Sequence, residues 1–342
     1  MMLLGIGVSV LPVFLFFGIL VVLDSYKLVA RRAVLLAIAA GIAAALVSYL
    51  VNVRLRPALG MDFTEYSRYV SPLVEELCKV AYIVFLKSRR RLGFVVDSAI
   101  LGFAIGTGFA VTENLYYLAI NPDASIFVWL ARGFGTAVMH GACTAILAML
   151  TRTLRNSREQ FELSRILPGL LAAVVLHSLY NHLLLQPVIL AGLIVLVFPY
   201  VSLAVFQKSE RDTRAWIGTG FDRDQALLAA INAGELLTTP VGQYLATLRR
   251  RFSPEVIVDM LCLTRLHVEL AIQAKGVLMA REAGFELAPH PSVARDLREI
   301  VVLEQSIGKT GMRALGPFLP VRRDRWQMEM LGTLAPQAPG VR

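Results

Sequence analysis

A chain of 342 residues that is 56% hydrophobic and 17% charged, with a mean hydropathy of +0.62, is too apolar for an ordinary soluble domain, in which about 25% of residues are charged. The formal net charge of +9 does not indicate nucleic-acid binding, because Lys and Arg in a membrane protein chiefly mark the cytoplasmic side. Cys78, Cys143 and Cys262 are scattered and form no CxxC or disulfide framework.

The apolar runs fall in residues 1–206, whereas 207–342 has the charge density of a soluble domain, so a membrane domain followed by a modest appended domain is expected. Seven segments have about the twenty apolar residues that a bilayer demands: near 3–23, 33–52, 69–86, 94–119, 130–150, 166–186 and 188–206. The first lacks a basic leader and a small-x-small cleavage site, and reads as a retained span. The expected fold is therefore all-α, a polytopic bundle of about seven transmembrane helices. Lys27, Arg31 and Arg32 follow the first span, Lys87, Arg89, Arg90 and Arg91 the third, and Arg152, Arg155, Arg158 and Arg165 the fifth. The loops NPDAS (121–125) and Gln186-Pro187 carry no basic residue; Arg54, Arg56 and Arg68 in the second loop dissent. The positive-inside rule then puts the N-terminus outside and residues 207–342 in the cytoplasm, with Tyr116, Tyr117 and Trp129 near the outer interface.

The tail reads as helical. Ser253-Pro254-Glu255 is a helix start, and the apolar pattern runs from Val256 to about Ala283, where Gly284 stops it. Shorter helices are predicted near 222–237, 239–251, 292–306 and 323–331. IGKTG (307–311) is not a phosphate-binding loop: the first glycine of that motif would fall at Leu303, and no strand precedes it. The tail is expected either to dock a regulator or simply to pack.

The chemistry-bearing residues lie inside the spans. Glu75, Glu76 and Lys79 sit in YVSPLVEELCKVAYIVFLK, at a depth where each ionisable group costs about 2.5–3.5 kcal/mol on insertion scales. Two adjacent glutamates cannot both ionise cheaply in low dielectric, and Lys79 shares a helix face with either of them. Glu113, His140, His177 and Asn181 follow in three further spans. With a rise of 1.5 Å per residue, Glu75 and Glu113 come out roughly 10 Å below the outer face, the two histidines roughly 13–15 Å and Asn181 about 8 Å. His177 and Asn181, four apart, share a face. Asp97, Arg132 and His182 read as interfacial or packing residues, His267 and His290 as ordinary residues of the tail, and Gly102, Gly106 and Gly108 as a close-packing stripe.

EELCK (75–79), FAVTE (109–113), His140 and HSLYN (177–181) resemble the PrsW family of intramembrane proteases, within the wider superfamily of CAAX-prenyl and bacteriocin-processing membrane proteases. Lys79 at the short spacing, and Glu113 four residues after Phe109 where CAAX-type proteins place histidine, favour the PrsW branch. The resemblance spans about residues 65–185. It implies cleavage of a membrane-anchored protein substrate, in some members an anti-sigma factor at the start of a signalling cascade, and an integral protein of a bacterial inner membrane.

Two mechanisms fit this set. In one, His140, His177 and Glu113 bind Zn²⁺ and Glu75 or Glu76 deprotonates the bound water. In the other, a glutamate activates water without metal while histidine and Asn181 stabilise the oxyanion. In both, Glu75, Glu76, Lys79, Glu113, His140, His177 and Asn181 form the site, with Lys79 tuning the glutamates; which glutamate is the base stays open. The rivals are a receptor or scaffold whose polar cluster locks helices together, and a transporter, for which no inverted repeat is evident.

Overall fold

The computed structural model describes residues 2–88, 92–153, 166–285, 287, 290–316 and 331. Arg89, Arg90, Arg91, Arg155, Arg158 and Arg165, and the helix expected near 323–331 apart from its last residue, lie outside the described residues. Among the described residues helix is the only regular secondary structure, and the chain forms two compact units, Met1–Ser209 and Glu210–Arg342.

The first unit contains α1 (Met2–Val22), α2 (Arg31–Leu59), α3 (Phe63–Tyr69), α4 (Ser71–Ser88), α5 (Val95–Ile120), α6 (Ile126–Leu130), α7 (Val138–Thr153) and α8 (Leu167–Asn181), together with the start of α9 (Pro187–Asn232). A π-helical segment, Ala131–Ala137, joins α6 to α7. Helix occurs at each of the seven expected span positions. Among the described residues five helices are long and apolar enough to cross a membrane: α1, α2, α5, the α6–α7 run and α9. The two others depart from that pattern for visible reasons. Helix α4 carries Glu75, Glu76 and Lys79, and α8 is an apolar helix of 15 residues.

Two differences from the sequence expectation bear on the site. Helix α2 runs on past residue 52 to Leu59, and the expected second loop contains α3. Asp62 starts α3 by accepting from the backbone N–H groups of Thr64 and Glu65 at 2.6 and 2.9 Å, a side-chain cap that the Asp62-to-Glu65 spacing encodes. The second difference is that α9 does not stop near residue 206. The stretch QKSERDTRAWIGTG (207–220) contains no proline and is rich in helix formers, so one helix of 46 residues continues to Asn232.

Helix α5 is the centre of the first unit: every residue from Val96 to Ala110 is buried. It packs on α1, α2 and α7; α8 packs on α7 and α4, and α4 packs on α2. The result is a ring of α2, α4, α8, α7 and α5. Glycine sets its closest approaches. A Cβ at Gly106 would collide with the carbonyl oxygen of His140 and lie 2.6 Å from the Gly141 Cα, and one at Gly108 would collide with the carbonyl oxygen of Ile38. Outward-facing residues of the bundle are large and apolar, among them Leu15, Leu35, Leu171 and Leu196, as a lipid-facing exterior requires.

The second unit packs α10 (Pro240–Leu248), α11 (Pro254–Glu282) and α12 (Val293–Leu315) around Met260, Leu263, Leu270, Ile300 and Ile307. Pro254 opens α11, although Ser253 makes no side-chain cap bond, and Gly284 ends the following turn at φ +85°. Gly308 of the IGKTG stretch takes φ 69° and kinks α12. His267 is buried within α11, its Nε2 without a hydrogen-bond partner among the described residues, and burial pushes its pKa down to about 4.

Two predictions follow from this packing. Gly106→Ala should destabilise the bundle by about 1–3 kcal/mol through overpacking, read as a lower thermal midpoint in detergent, whereas Gly192→Ala, within α9 and with open space at its Cβ, should keep the midpoint or raise it through helix propensity. His267 bears on pH. Its folded-state pKa lies below the unfolded value of about 6.5, so its contribution is complete above that pH and is lost as pH falls toward about 4, on the order of 3 kcal/mol in all. The stability difference between the native chain and His267→Leu should therefore change across that window; parallel pH profiles for the two chains would refute the assignment.

Candidate active site

A cavity of about 1170 Å³ is lined by α2, α3, α4, α5, the α6–α7 run, α8 and the start of α9. Glu75, Glu113, His140, His177 and Asn181 all line it. Four helices thus deliver the expected residues to one place: α4 brings Glu75, Glu76 and Lys79, α5 Glu113, α7 His140, and α8 His177 and Asn181.

The two adjacent glutamates face different surroundings. Glu76 is fully buried; its Oε1 accepts from Lys79 Nζ at 2.8 Å and from His177 Nδ1 at 3.0 Å. Lys79 is equally buried, lies 4.1 Å from the centre of the Phe109 ring, and donates to His140 Nδ1 at 2.9 Å. Since a lysine ammonium only donates, His140 Nδ1 is the acceptor, and its Nε2–H donates to Glu113 Oε2 at 3.0 Å. By the same reasoning, His177 carries its proton on Nδ1, toward Glu76. Its Nε2 is left as a lone pair, 3.8 Å from Glu75 Oε2.

Glu75 faces the cavity. Its Oε1 accepts from the Ser71 hydroxyl at 2.6 Å, while its buried Oε2 has no hydrogen-bond partner among the described residues. A buried carboxylate oxygen without a donor is costly, so this atom and His177 Nε2 together form an open, electron-rich corner. One ligand atom from each of Glu75, His140 and His177 lies within 4.8 Å of the others. Two imidazoles and a carboxylate suit a divalent ion of the zinc type; the orphaned Oε2 and the free His177 Nε2 fit such an ion as they stand, whereas His140 would ligate only by giving up its bond to Lys79 or to Glu113. The carboxylate of this trio is Glu75, where the sequence pointed to Glu113. Glu113 is instead engaged by His140 and by Arg132, whose Nη2 lies 3.2 Å from its Oε2.

Arg132 corrects a sequence expectation. Rather than reaching toward an interface, its guanidinium lines the cavity, pairs with Glu113, donates to Asn114 Oδ1 at 3.0 Å and lies 4.0 Å from the centre of the Tyr117 ring. The π-helical segment that carries it is a device often found at functional sites, and nothing in the local sequence announces it. Trp129 is buried against α1 near Gly5, not spread on an outer belt. Asn181 lines the cavity, but its Nδ2 donates to the Ser67 carbonyl at 2.9 Å, and Ser178 donates to the Arg68 carbonyl at 2.6 Å. Helix α8 thereby satisfies the last carbonyls of α3. His182 packs on the Tyr69 ring, Asp97 accepts from the N–H groups of Gly93 and Phe94 at the start of α5, and His290 is exposed. None of these three joins the cluster.

Residues 25–206, just over half of the chain, match the family described as PrsW family intramembrane metalloprotease. The chain belongs to the PrsW family. It is accordingly an integral membrane protein of an intramembrane protease family, and the matched stretch of this PrsW-family chain contains every residue of the cluster. No curated protein and no solved structure matches it.

The different surroundings of the two glutamates predict different costs of neutralising them. Glu76→Gln leaves the buried Lys79 charge uncompensated and should destabilise the protein by about 3–5 kcal/mol, with much of the loss recovered in Glu76→Gln/Lys79→Met. Glu75→Gln should unfold close to the native midpoint. Thermal unfolding of the three variants in one detergent checks this; equal losses for the two single variants would show that the pairs are not energetically distinct.

Proposed function

We propose that the chain is an intramembrane endopeptidase that hydrolyses a membrane-anchored protein substrate, with Glu75 as the reactive carboxylate. The observation that carries this reading is the open corner formed by Glu75 Oε2 and His177 Nε2 on a cavity large enough for an extended peptide segment. A cluster that merely locked helices together would satisfy its buried polar atoms. Here Glu76 Oε1, Lys79 and His177 Nδ1 are bonded to one another and Glu76 Oε2 is left without a partner among the described residues, while Glu75 Oε2 and His177 Nε2 stand open on the cavity side. The seven-span arrangement, an outside N-terminus and a cytoplasmic tail belong to the same proposal and rest on the seven helices and the loop charges.

His177 through Nε2, and His140 once it gives up its bond to Lys79 or to Glu113, are the residues that would hold a divalent ion such as Zn²⁺, with Glu75 Oε2 beside it kept as the base. When bound, it supplies Lewis-acid activation of water and polarises the scissile carbonyl. The chain's own groups do the rest. Glu76 holds the His177 ring by its Nδ1–H, the carboxylate–histidine arrangement that fixes a ligating tautomer. The attacking water gives its proton to Glu75 Oε2 as its oxygen bonds to the substrate carbonyl carbon. The same proton then passes to the departing amide nitrogen as the C–N bond breaks. The Arg132 guanidinium on the cavity wall faces the side where the oxyanion develops and offers charge to it. Asn181 and Ser178 hold the α3–α4 corner against α8.

The test is cleavage of a fluorogenic single-span peptide by the purified protein in proteoliposomes. Glu75→Gln should lose about 10²–10⁴-fold in kcat, the range of a positioned general base, while remaining folded. A zinc chelator should abolish turnover and added Zn²⁺ restore it. Full activity in Glu75→Gln would overturn the assignment, and chelator-resistant turnover that still depends on Glu75 would select the metal-free glutamate mechanism.

A further inference from the structure

We propose that Ser71 is a positioning residue for the Glu75 carboxylate, held in its working orientation by Asn52 and Tyr66. The inference rests on the reading of Glu75 as the reactive group. It starts from a hydrogen-bond chain that runs in one direction across three helices. The Tyr66 hydroxyl on α3 donates to Asn52 Oδ1 on α2 at 2.8 Å, Asn52 Nδ2 donates to Ser71 Oγ on α4 at 3.2 Å, and Ser71 Oγ donates to Glu75 Oε1 at 2.6 Å. All four side chains line the cavity.

Each link fixes the next. A tyrosine hydroxyl donating to Asn52 Oδ1 decides which end of the amide is the acceptor, so the N–H₂ end must face Ser71. That N–H occupies a lone pair of Ser71 Oγ, and the single hydroxyl proton is then free for Glu75. A serine in a helix ordinarily turns its proton back to a carbonyl three or four residues earlier. For Ser71 those carbonyls belong to Arg68 and Ser67, and both are already taken from α8: Ser178 donates to Arg68 and Asn181 Nδ2 to Ser67. Helix α8 thus already occupies one lone pair of each competing acceptor while α2 and α3 orient the donor. The consequence falls on the carboxylate. With Oε1 accepting from Ser71, the Glu75 carboxyl is biased to one orientation, and Oε2 is the oxygen left facing His177 Nε2.

The experiment combines turnover with a readout that needs no substrate. In proteoliposomes, on a fluorogenic single-span peptide that the native protein cleaves, Ser71→Ala should lower kcat about 10–100-fold, the usual cost of removing an outer-shell partner, with KM unchanged. Ser71→Thr, which keeps the hydroxyl, should restore most of the rate, and Tyr66→Phe should show a smaller loss of the same kind. In parallel, the infrared carboxylate band that disappears in Glu75→Gln should move in Ser71→Ala and return in Ser71→Thr. An unmoved band, or Ser71→Ala turning over at the native kcat while Glu75→Gln is inert, would overturn the positioning role and leave the active-site reading intact. A Glu75→Gln protein that still cleaves would overturn the active-site reading itself, and the positioning role with it.

Discussion

The site depends on the buried ion pair between Lys79 and Glu76. Removing two charges from water carries a penalty that Coulomb attraction alone seldom offsets, and here the balance is made up by additional partners. Glu76 Oε1 takes a second donor from His177, and Lys79 a second acceptor in His140 and the face of Phe109. One pair therefore ties α4 to α5, α7 and α8. It also settles the rotation of α4. Successive residues on a helix point about 100° apart, so once Glu76 is directed into the ion pair its neighbour Glu75 is turned out toward the cavity. The chemical difference between two identical side chains arises from which one the lysine holds.

Small residues on α5 make that geometry reachable. Because Gly106 lets the α7 backbone approach at His140, and Gly108 admits α2 at Ile38, the imidazole of His140 can bridge Lys79 on one side and Glu113 on the other. Larger residues there would separate the helices and break a chain of bonds whose members are all near 3 Å. The π-helical turn just before α7 then carries Arg132 onto Glu113 and Asn114. Glu113 is thereby held by a cation and a histidine, whereas among the described residues the hydrogen bond on Glu75 comes from a hydroxyl.

The parts of this arrangement that depend on hydrophobicity were legible in the sequence. Apolar runs predicted a helix at each of the seven positions, and the acids and histidines stood out because charges are costly at that depth. Composition also marked the tail as a different kind of segment. What was not legible depends on side-chain partners far apart in the chain. Lys79 meets His140 across 61 residues and Ser71 meets Asn52 across 19, and no periodicity encodes such pairings. For that reason the sequence could not separate Glu75 from Glu76, gave no sign that Glu75 lies close to both histidines while Glu113 pairs with His140 and Arg132, and read Arg132 as interfacial. The Asp62 cap of α3 was different: its signal was present, but it lay in a stretch read as a loop.

The distribution of hydrogen bonds through the cluster separates framework from chemistry. His177 shows the division within one ring: Nδ1 is bound to the ion-pair framework, and Nε2 faces the cavity. Glu75 shows it within one carboxylate, with Oε1 bound to Ser71 and Oε2 open. Desolvation makes both halves necessary. Without the bonds that Glu76 Oε1 makes to Lys79 and His177, the buried charges would have no compensation in a medium that offers no competing water; were the cavity-facing atoms also satisfied, nothing would be left to bind an ion or take a proton. The residues that look most alike in the sequence therefore do the least similar work, and the burial of one sustains the reactivity of the other.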